Sequence, residues 1–200
     1  MENPVIKNLK ERRSIYSIGK DVSHSQDELT ALIQDAIKYS PSSFNSQSSR
    51  ALILFGENHH KLWDTVKAEL SKIVSAEAME ATTAKIDNCF RSGFGTVLFF
   101  EDSDVVTKLE KEFPLYADNF RIWSEQSGGM AQLSVWTALA TEKVGATLQH
   151  YNPVIDEAVA SEWNIPASWI LRAQMPFGSI EQEAQEKAFM DDSQRFIVCK

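Results

Sequence analysis

Two adjacent arginines followed by a serine stand near the start of the chain, at Arg12, Arg13 and Ser14. Arginine presents a planar fork of hydrogen-bond donors that matches the oxygens of a phosphate group. Because neighbouring side chains point in different directions, the pair could reach two parts of one anionic ligand. A solvated helix end is the competing interpretation, since basic residues also favour that end of the helix dipole. Taken alone, the motif is a weak indication of an anion site.

A second polar segment, residues 40–49, contains six serines, one asparagine and one glutamine. Ser42, Asn45 and Gln47 supply hydroxyl and amide groups that can hydrogen-bond a polyol chain, and Pro41 stiffens the entry to the segment. Composition alone favours an exposed polar loop. The order of the residues, and the apolar strand pattern that follows directly, favour a binding segment.

A third segment, residues 145–153, reads Gly-Ala-Thr-Leu-Gln-His-Tyr-Asn-Pro. A glycine followed by small residues lets backbone approach an aromatic ligand closely. His150 invites a catalytic interpretation, but a histidine with a purely structural role fits the sequence about as well.

Other patterns do not carry chemistry. Gly93 and Gly95 begin like a dinucleotide fingerprint, but Leu98 occupies the third glycine position and a strand pattern follows where a helix is needed. His59 and His60 are adjacent, so they do not share a helix face and a metal pair is not expected. No serine is surrounded by the glycines of a nucleophile elbow.

Composition bounds the kind of protein. The 200 residues fit one domain of ordinary size, and the net charge of −8 argues against a nucleic-acid partner. Cys89 and Cys199 are far apart and suit a reduced, cytoplasmic protein better than a disulfide scaffold. The first residues do not resemble a signal peptide, and no apolar run approaches the ~20 residues of a membrane span.

Hydrophobic spacing predicts the elements that must position these groups. Ser25 and Glu28 have the spacing of a capping box at the start of a helix that stops before Pro41. We expect Gly56 to end a strand and Gly145 to end a long helix. The predicted helices cover 4–13, 26–40, 58–86, 115–143 and 153–163, and the predicted strands cover 51–55, 96–100, 146–149, 169–175 and 195–199. One α+β domain over residues 1–200 is the best interpretation.

Three of these motifs together resemble the FMN-dependent nitroreductase family. They are residues 11–16 (Glu-Arg-Arg-Ser-Ile-Tyr), 41–47 (Pro-Ser-Ser-Phe-Asn-Ser-Gln) and 148–153 (Leu-Gln-His-Tyr-Asn-Pro). The resemblance extends to residue 195 and is closest to the small members of the fatty acid repression mutant type. Those proteins lack the extra helices that cover the active site of the larger enzymes.

The resemblance implies a set of cofactor-binding residues. The arginine pair and Ser14 would contact the flavin phosphate, ribityl chain and ring edge. Ser42 and Asn45 would reach the phosphate of a flavin bound mainly by the partner subunit. Backbone amides of Leu148 and Gln149 would face the flavin N5 and O4 edge, where a donor stabilises negative charge. The full set implied is Arg12, Arg13, Ser14, Ser42, Asn45, Gln47, Leu148, Gln149, Lys187 and Arg195, the last two closing the phosphate site.

The same resemblance implies a mixed central sheet wrapped by helices and an intertwined homodimer with two FMN sites at its interface. Hydride would pass from NADH or NADPH to flavin N5 and then to a nitroaromatic or quinone acceptor in a ping-pong mechanism, with no obligatory catalytic side chain. Two alternatives stay open. One is a flavin-binding sensor in lipid or stress signalling with incidental turnover, and the other is a cofactor-free interaction domain.

Overall fold

The structure, a computed structural model, describes residues 3–200. The helices are α1 Pro4–Glu11, α2 Gln26–Lys38, α3 Gly56–Leu70, α4 Ala76–Ile86, α5 Ser103–Glu112, α6 Ala117–Thr141 and α7 Asp156–Trp163. The strands are β1 Ile18–Gly19, β2 Ser49–Phe55, β3 Gly95–Asp102, β4 Gly145–Ala146 and β5 Trp169–Ile180. Short 3-10 helical turns lie at Ser43–Asn45, Pro114–Tyr116 and Asp192–Gln194, and a π-helical turn lies at Asp87–Arg91.

The strands form one sheet in the order β1-β5-β3-β2, and β4 also pairs with β5. Each of these strand pairs is antiparallel, with Val97 of β3 opposite Met175 of β5, for example. A parallel pairing occurs at an isolated bridge between Ser14 and Ala146. This sheet, together with the helices around it, confirms the predicted α+β class.

Helices cover both faces of the sheet, as predicted. Side chains alternate between the faces of a strand, so Val97 and Phe99 of β3 pack against α2 and α6. Leu98 and Phe100 point the other way and pack against α3 and α7. Each of these four side chains is at most 3% exposed. The central strand is therefore buried on both faces, and its ends are fixed in position.

The predicted capping box begins α2. The Ser25 hydroxyl accepts a hydrogen bond from the Glu28 amide at 3.2 Å, and the Glu28 carboxylate accepts one from the Ser25 amide at 2.8 Å. Leu29 and Ile33 then face the core with almost no exposure. The helix ends at Lys38, before Pro41, as expected.

The prediction that a helical stretch covers much of 58–86 is confirmed, and the structure divides this stretch into two helices. The first ends at Leu70, and Ser75 starts the second by accepting a hydrogen bond from the Ala78 amide at 3.3 Å. A capping serine outweighs the apolar spacing at this point. The helix α5 had no counterpart among the predictions, and only Val106 of its ten residues is buried.

The long helix α6 ends differently from the prediction. Lys143, with φ of 60°, takes the left-handed conformation expected of a glycine, and the Val144 amide donates to the Leu139 carbonyl at 2.9 Å. Gly145, two residues after Lys143, lies in β4. A Cβ there would stand 2.9 Å from Ile180, so close packing is the reason for this glycine.

The strand predicted over 195–199 is not formed in the single chain. Residues 181–200 are irregular apart from one short turn, and Phe196, Ile197 and Val198 are 57–95% exposed. An apolar run forms a strand only where a neighbouring strand can pair with it, and β5 already carries β1, β3 and β4. Within residues 3–200 no helix is both long and apolar enough to cross a membrane.

Candidate cofactor site

The arginine turn, Arg12–Ser14, lies where the chain leaves α1. Arg12 caps that helix with extended dihedral angles, φ −66° and ψ 113°. The chain then runs beside β4, because the Ile15 amide donates to the Ala146 carbonyl at 2.9 Å. Ile15 is 4% exposed and anchors the turn in the core. Two segments that the sequence singled out are thereby held side by side.

An indole ring orients the Arg12 side chain. The guanidinium carbon of Arg12 lies 4.4 Å from the centre of the Trp136 ring, within the range of a cation–π contact. The Trp136 Nε1–H in turn donates to the Ala146 carbonyl at 3.1 Å. Burial, and then the neighbouring charge of Arg13, lower the pKa of Arg12. Two guanidiniums at this turn repel each other, and an anion placed between them would relieve that repulsion.

The C-terminal tail closes a cavity of about 570 Å³ over the arginine turn. The Arg13 guanidinium donates to the Gln185 carbonyl, 172 residues away in the chain. Lys187 also lines this arginine cavity. The remaining lining consists of polar and small residues, namely Arg12, Ser14, Tyr16, Ser17, Gln182, Glu183, Ala184, Gln185 and Glu186.

Arg195 lies apart from the arginine cavity. This residue is exposed after the short turn Asp192–Gln194, with its guanidinium carbon 5.6 Å from the centre of the Phe196 ring. One chain therefore does not bring Arg195 to the predicted phosphate site. The cavity gathers four of the predicted residues, namely Arg12, Arg13, Ser14 and Lys187.

The predicted backbone donors after β4 need one correction. The Gln149 amide donates to the Gln174 carbonyl at 2.7 Å, so this N–H is engaged within the sheet. The Thr147 amide points the same way, and backbone direction alternates along extended chain, so the Leu148 amide faces away from β5. Leu148 alone keeps the role of ring-edge donor. His150 is exposed and follows directly.

The serine loop, Ser42–Ser49, forms a second polar site. Its backbone is unusual, because Phe44, Asn45 and Gln47 have φ of 57°, 51° and 50°. The loop closes on itself where the Ser42 hydroxyl accepts a hydrogen bond from the Gln47 amide at 2.9 Å. Asn45 is exposed at the tip. Three non-glycine residues in the left-handed region are strained, and such strain persists only where surrounding contacts enforce it.

A cavity of about 380 Å³ adjoins the serine loop. Ser42 and Gln47 line it, so two predicted cofactor residues are gathered here rather than at the arginine cavity. Ser127 and Ala131 of α6 form another wall, and α6 also carries the Trp136 that contacts Arg12. Both predicted halves of the site therefore flank one helix, in separate cavities of the same chain.

An aromatic cluster surrounds Phe44 in the serine loop. The Phe44 ring is 52% exposed and lies 6.1 Å from Trp123 in a stacked orientation and 5.3 Å from Phe120 edge-on. Phe113 and Tyr116 complete the cluster. Nothing in the sequence pattern indicates that the four aromatic partners of Phe44 come from one later segment of the chain.

His59, one of the two adjacent histidines, is buried and hydrogen-bonded within the protein. His59 is 1% exposed, with Nδ1 2.8 Å from the Thr96 hydroxyl and Nε2 3.1 Å from the Arg91 carbonyl. Burial lowers the pKa of His59 to about 4, against a smaller opposing effect of the hydrogen bond to Arg91. Across residues 3–200 no group of three or more His, Cys, Asp and Glu side chains is arranged to hold a metal ion.

The model of the Nitroreductase family matches residues 9–179 of the chain. The nitroreductase FRM2 of Saccharomyces cerevisiae is 31% identical over 90% of this chain and 90% of its own length. That relative is of the fatty acid repression mutant type, which agrees with the predicted subgroup.

Solved structures give the same result. Nitroreductase CinD from Lactococcus lactis, in complex with nicotinic acid, is 54% identical, covers 98% of this chain and 100% of its own, and has a TM-score of 0.91. CinD has also been solved with chloramphenicol and with 4-nitrophenol. A Desulfovibrio desulfuricans protein in complex with FMN shares the fold, with a TM-score of 0.71 at 19% identity over 100% of this chain and 99% of its own. The chain therefore belongs to the Nitroreductase family.

Proposed function

We propose that the protein is an FMN-dependent oxidoreductase that takes hydride from NADH or NADPH and reduces nitroaromatic or quinone-type acceptors. Bound FMN supplies two-electron chemistry at its ring. The observation that carries the proposal is the gathering of Arg12, Arg13, Ser14 and Lys187 around one cavity. These residues come from opposite ends of the chain, and the fold brings them together.

The residues present suit FMN. Arg12, Arg13 and Lys187 offer three cations to a phosphate group and polar ribityl chain, and Ser14 adds a hydroxyl. The Leu148 amide faces away from the sheet and supplies a fixed donor for the ring edge. A fixed dipole costs no reorganisation when negative charge develops beside it. The chain then needs no dedicated acid or base among its side chains.

Acceptor chemistry is supported by two observations. CinD binds 4-nitrophenol and chloramphenicol, and this chain shares more than half of its residues with that protein. The half-exposed Phe44 ring, stacked on Trp123, presents a flat apolar surface beside the serine loop. Flat electron-poor rings stack favourably on such surfaces.

We also propose that this single domain works as an intertwined homodimer in the cytoplasm. The serine loop and the arginine cavity each offer part of a cofactor site, so two chains related by symmetry would complete two sites. β2 ends the order of the sheet and leaves an edge for pairing. The exposed apolar run Phe196–Val198 of a second chain could pair there. The free thiols of Cys89 and Cys199 suit a reducing compartment.

The visible absorption spectrum of the purified protein tests the function. Recorded without oxygen, before and after NADH or NADPH is added, it should show two flavin bands that bleach, and 4-nitrophenol or a quinone should restore them. A flavin that binds without bleaching would point to a sensor. A protein that stays colourless after FMN is supplied would refute the proposal.

The double variant Arg12→Ala, Arg13→Ala tests the site. Each substitution removes a charge-assisted hydrogen bond to FMN worth roughly 1.5–3 kcal/mol. The variant should therefore release FMN, while the apoprotein should unfold at the same temperature as the wild-type apoprotein. Lys61→Ala serves as the control, because Lys61 pairs with Glu162 on the surface of α3. Full flavin content in the double variant would show that the arginine turn is not the cofactor site.

A further inference from the structure

A buried carboxylate holds the end of the serine loop. The Ser48 hydroxyl donates to one oxygen of Glu101 at 2.6 Å, and the Ser49 hydroxyl donates to the other oxygen at 2.6 Å. Glu101 is 3% exposed and Ser48 is 1% exposed. Both carboxylate oxygens are therefore committed to this loop, which is an unusual use for a buried acid.

The next residue in the chain adds a second attachment. The Asp102 amide donates to the Ser48 carbonyl at 3.0 Å. The Asp102 carboxylate accepts from Arg50 at 3.0 Å, and the other arm of the Arg50 guanidinium donates to the Gln47 carbonyl. The end of β3 thus contacts the serine loop at Ser48 and Ser49, and it reaches Gln47 through Arg50 of β2.

These hydrogen bonds help to offset the backbone strain of the serine loop. Its left-handed residues, Phe44, Asn45 and Gln47, each disfavour the observed backbone, and contacts outside the loop must offset that strain. The N-terminal side is held through Ser40, whose hydroxyl donates to the Ala36 carbonyl at 2.7 Å and lies 2.8 Å from the Ser134 hydroxyl, from which it can accept a hydrogen bond. The C-terminal side is held by the acidic pair at the end of β3.

The packing around Glu101 leaves little room for another arrangement. A Cβ on Gly128 would lie 2.8 Å from a Glu101 oxygen, so a larger residue at this point of α6 would displace the Glu101 carboxylate. Burial raises the pKa of the Glu101 carboxyl, with Glu125 of α6 adding to the rise. The hydroxyls of the loop, and Arg172 of β5, oppose it. Glu101 therefore carries a cost of burial that its two hydrogen bonds must offset.

We propose that Glu101 is a positioning residue for the cofactor, acting through Ser48 and Ser49 to hold the serine loop in its strained, binding-competent shape. The inference rests on the proposed function, because it assumes that Ser42, Asn45 and Gln47 contact FMN. The Glu101 carboxylate bonds Ser48 and Ser49 rather than Ser42, Asn45 or Gln47. Its effect on the cofactor is transmitted by the loop backbone.

The first test compares Glu101→Leu with Glu101→Gln by FMN titration of the apoprotein. Leucine removes both acceptors, so the Kd for FMN should rise by roughly tenfold to hundredfold, the range expected when a supporting contact of a binding site is lost. Glutamine keeps an acceptor and a donor for the two hydroxyls and should restore binding close to that of the wild type. Glu125→Leu is the matched control, since Glu125 pairs with Arg172 and not with the loop.

Hydrogen exchange of the apoprotein gives a readout without the flavin. Amides of residues 42–50 should exchange faster in Glu101→Leu than in the wild type, and at the wild-type rate in Glu101→Gln and Glu125→Leu. Exchange in α2 and β3 should stay slow in every variant, which separates a loosened loop from a destabilised fold.

A double-mutant cycle identifies the route of the effect. If Glu101 acts through the two hydroxyls, Ser48→Ala with Ser49→Ala should weaken FMN binding, and adding Glu101→Leu should weaken it little further. Additive losses would overturn the proposed route, and an unchanged Kd in Glu101→Leu would overturn the positioning role. A wild-type protein that binds no FMN would instead refute the proposed function on which the inference depends.

Discussion

At the level of single residues, the buried imidazole of His59 links pH to stability. Its Nδ1 contacts the Thr96 hydroxyl, which also accepts a hydrogen bond from the Trp63 indole at 3.0 Å. The folded protein keeps this ring neutral, since burial lowers its pKa from 6.5 to about 4. The unfolded chain binds a proton at its ordinary pKa, and so acid favours unfolding.

The sign and window of this effect are measurable. Above pH 6.5 the neutral His59 ring makes its full contribution to the free energy of unfolding. This contribution, about 3 kcal/mol, is lost as the pH falls from 6.5 towards 4. Urea unfolding at several pH values should show this slope in the wild type and a flatter one in His59→Gln. His60→Gln, the neighbouring and more exposed ring, is the control. Equal slopes in all three proteins would contradict the assignment.

Single residues also show what the sequence could and could not predict. Arg12, Arg13 and Lys187 were predicted to share a site, and they line one cavity. The Gln149 amide was predicted to face a ligand, but it donates to the Gln174 carbonyl, a pairing that no local pattern reveals. Glu101 was missed, because a single acid at a strand end looks like any surface carboxylate until its partners are known.

At the level of elements, α6 shows how a helix end resists prediction. The Lys143 amide donates to the Ala140 carbonyl at 3.1 Å and the Val144 amide to the Leu139 carbonyl at 2.9 Å, the paired bonds of a Schellman motif. The glycine expected at such a position stands two residues later, where close packing requires it. Local propensity places the end of the helix within a few residues, and tertiary contacts choose the residue.

The left-handed backbone at Lys143 and the close packing at Gly145 predict opposite effects of substitution at these two positions. Lys143→Gly should stabilise the protein by roughly 1 kcal/mol, because glycine adopts the left-handed conformation without the clash of a Cβ. Gly145→Ala should destabilise it, since the new Cβ meets Ile180 at 2.9 Å and Ile15 at 3.0 Å. Thermal melting of both variants checks this. Stabilisation by alanine at 145, or destabilisation by glycine at 143, would show that the roles are misassigned.

Elements marked by several agreeing signals were predicted well, whereas α5 and the stretch 195–199 were not. The capping box of α2 and the apolar run of β3 gave both the type and the position of their elements, because several signals agree there. α5 has only Val106 buried and was not foreseen. The stretch 195–199 has the composition of a strand, but a strand also needs an edge, and the single chain provides none beside it.

At the level of the whole molecule, the C-terminal tail, residues 181–200, keeps apolar side chains exposed in the single chain. Its exposed apolar residues include Phe196, Ile197 and Val198. If these pair with the β2 edge of a second chain, each side chain contributes about 1.5–3 kcal/mol on burial. Replacing all three with serine should then raise the dimer Kd by roughly a hundredfold or more.

Sedimentation over a range of concentrations measures this. The wild type should sediment as a dimer of the 22.5 kDa chain, and the triple variant as a monomer at low micromolar concentration. Ile73→Ser is the control, because Ile73 is also an exposed apolar residue, 66% accessible, but lies outside the tail. Identical sedimentation of wild type and triple variant would exclude the tail from the interface.

The contact between Arg13 and Gln185 also bears on how the protein is made. The two residues are 172 positions apart, and a ribosome adds about 5–20 residues per second. On the order of 10–30 s therefore pass between the synthesis of Arg13 and the synthesis of Gln185. A nascent chain, or one released early by a premature stop codon, has the arginine turn without its cover. If the arginine cavity holds the cofactor, we expect loading only after the tail has been made, and we expect incomplete translation products to stay colourless.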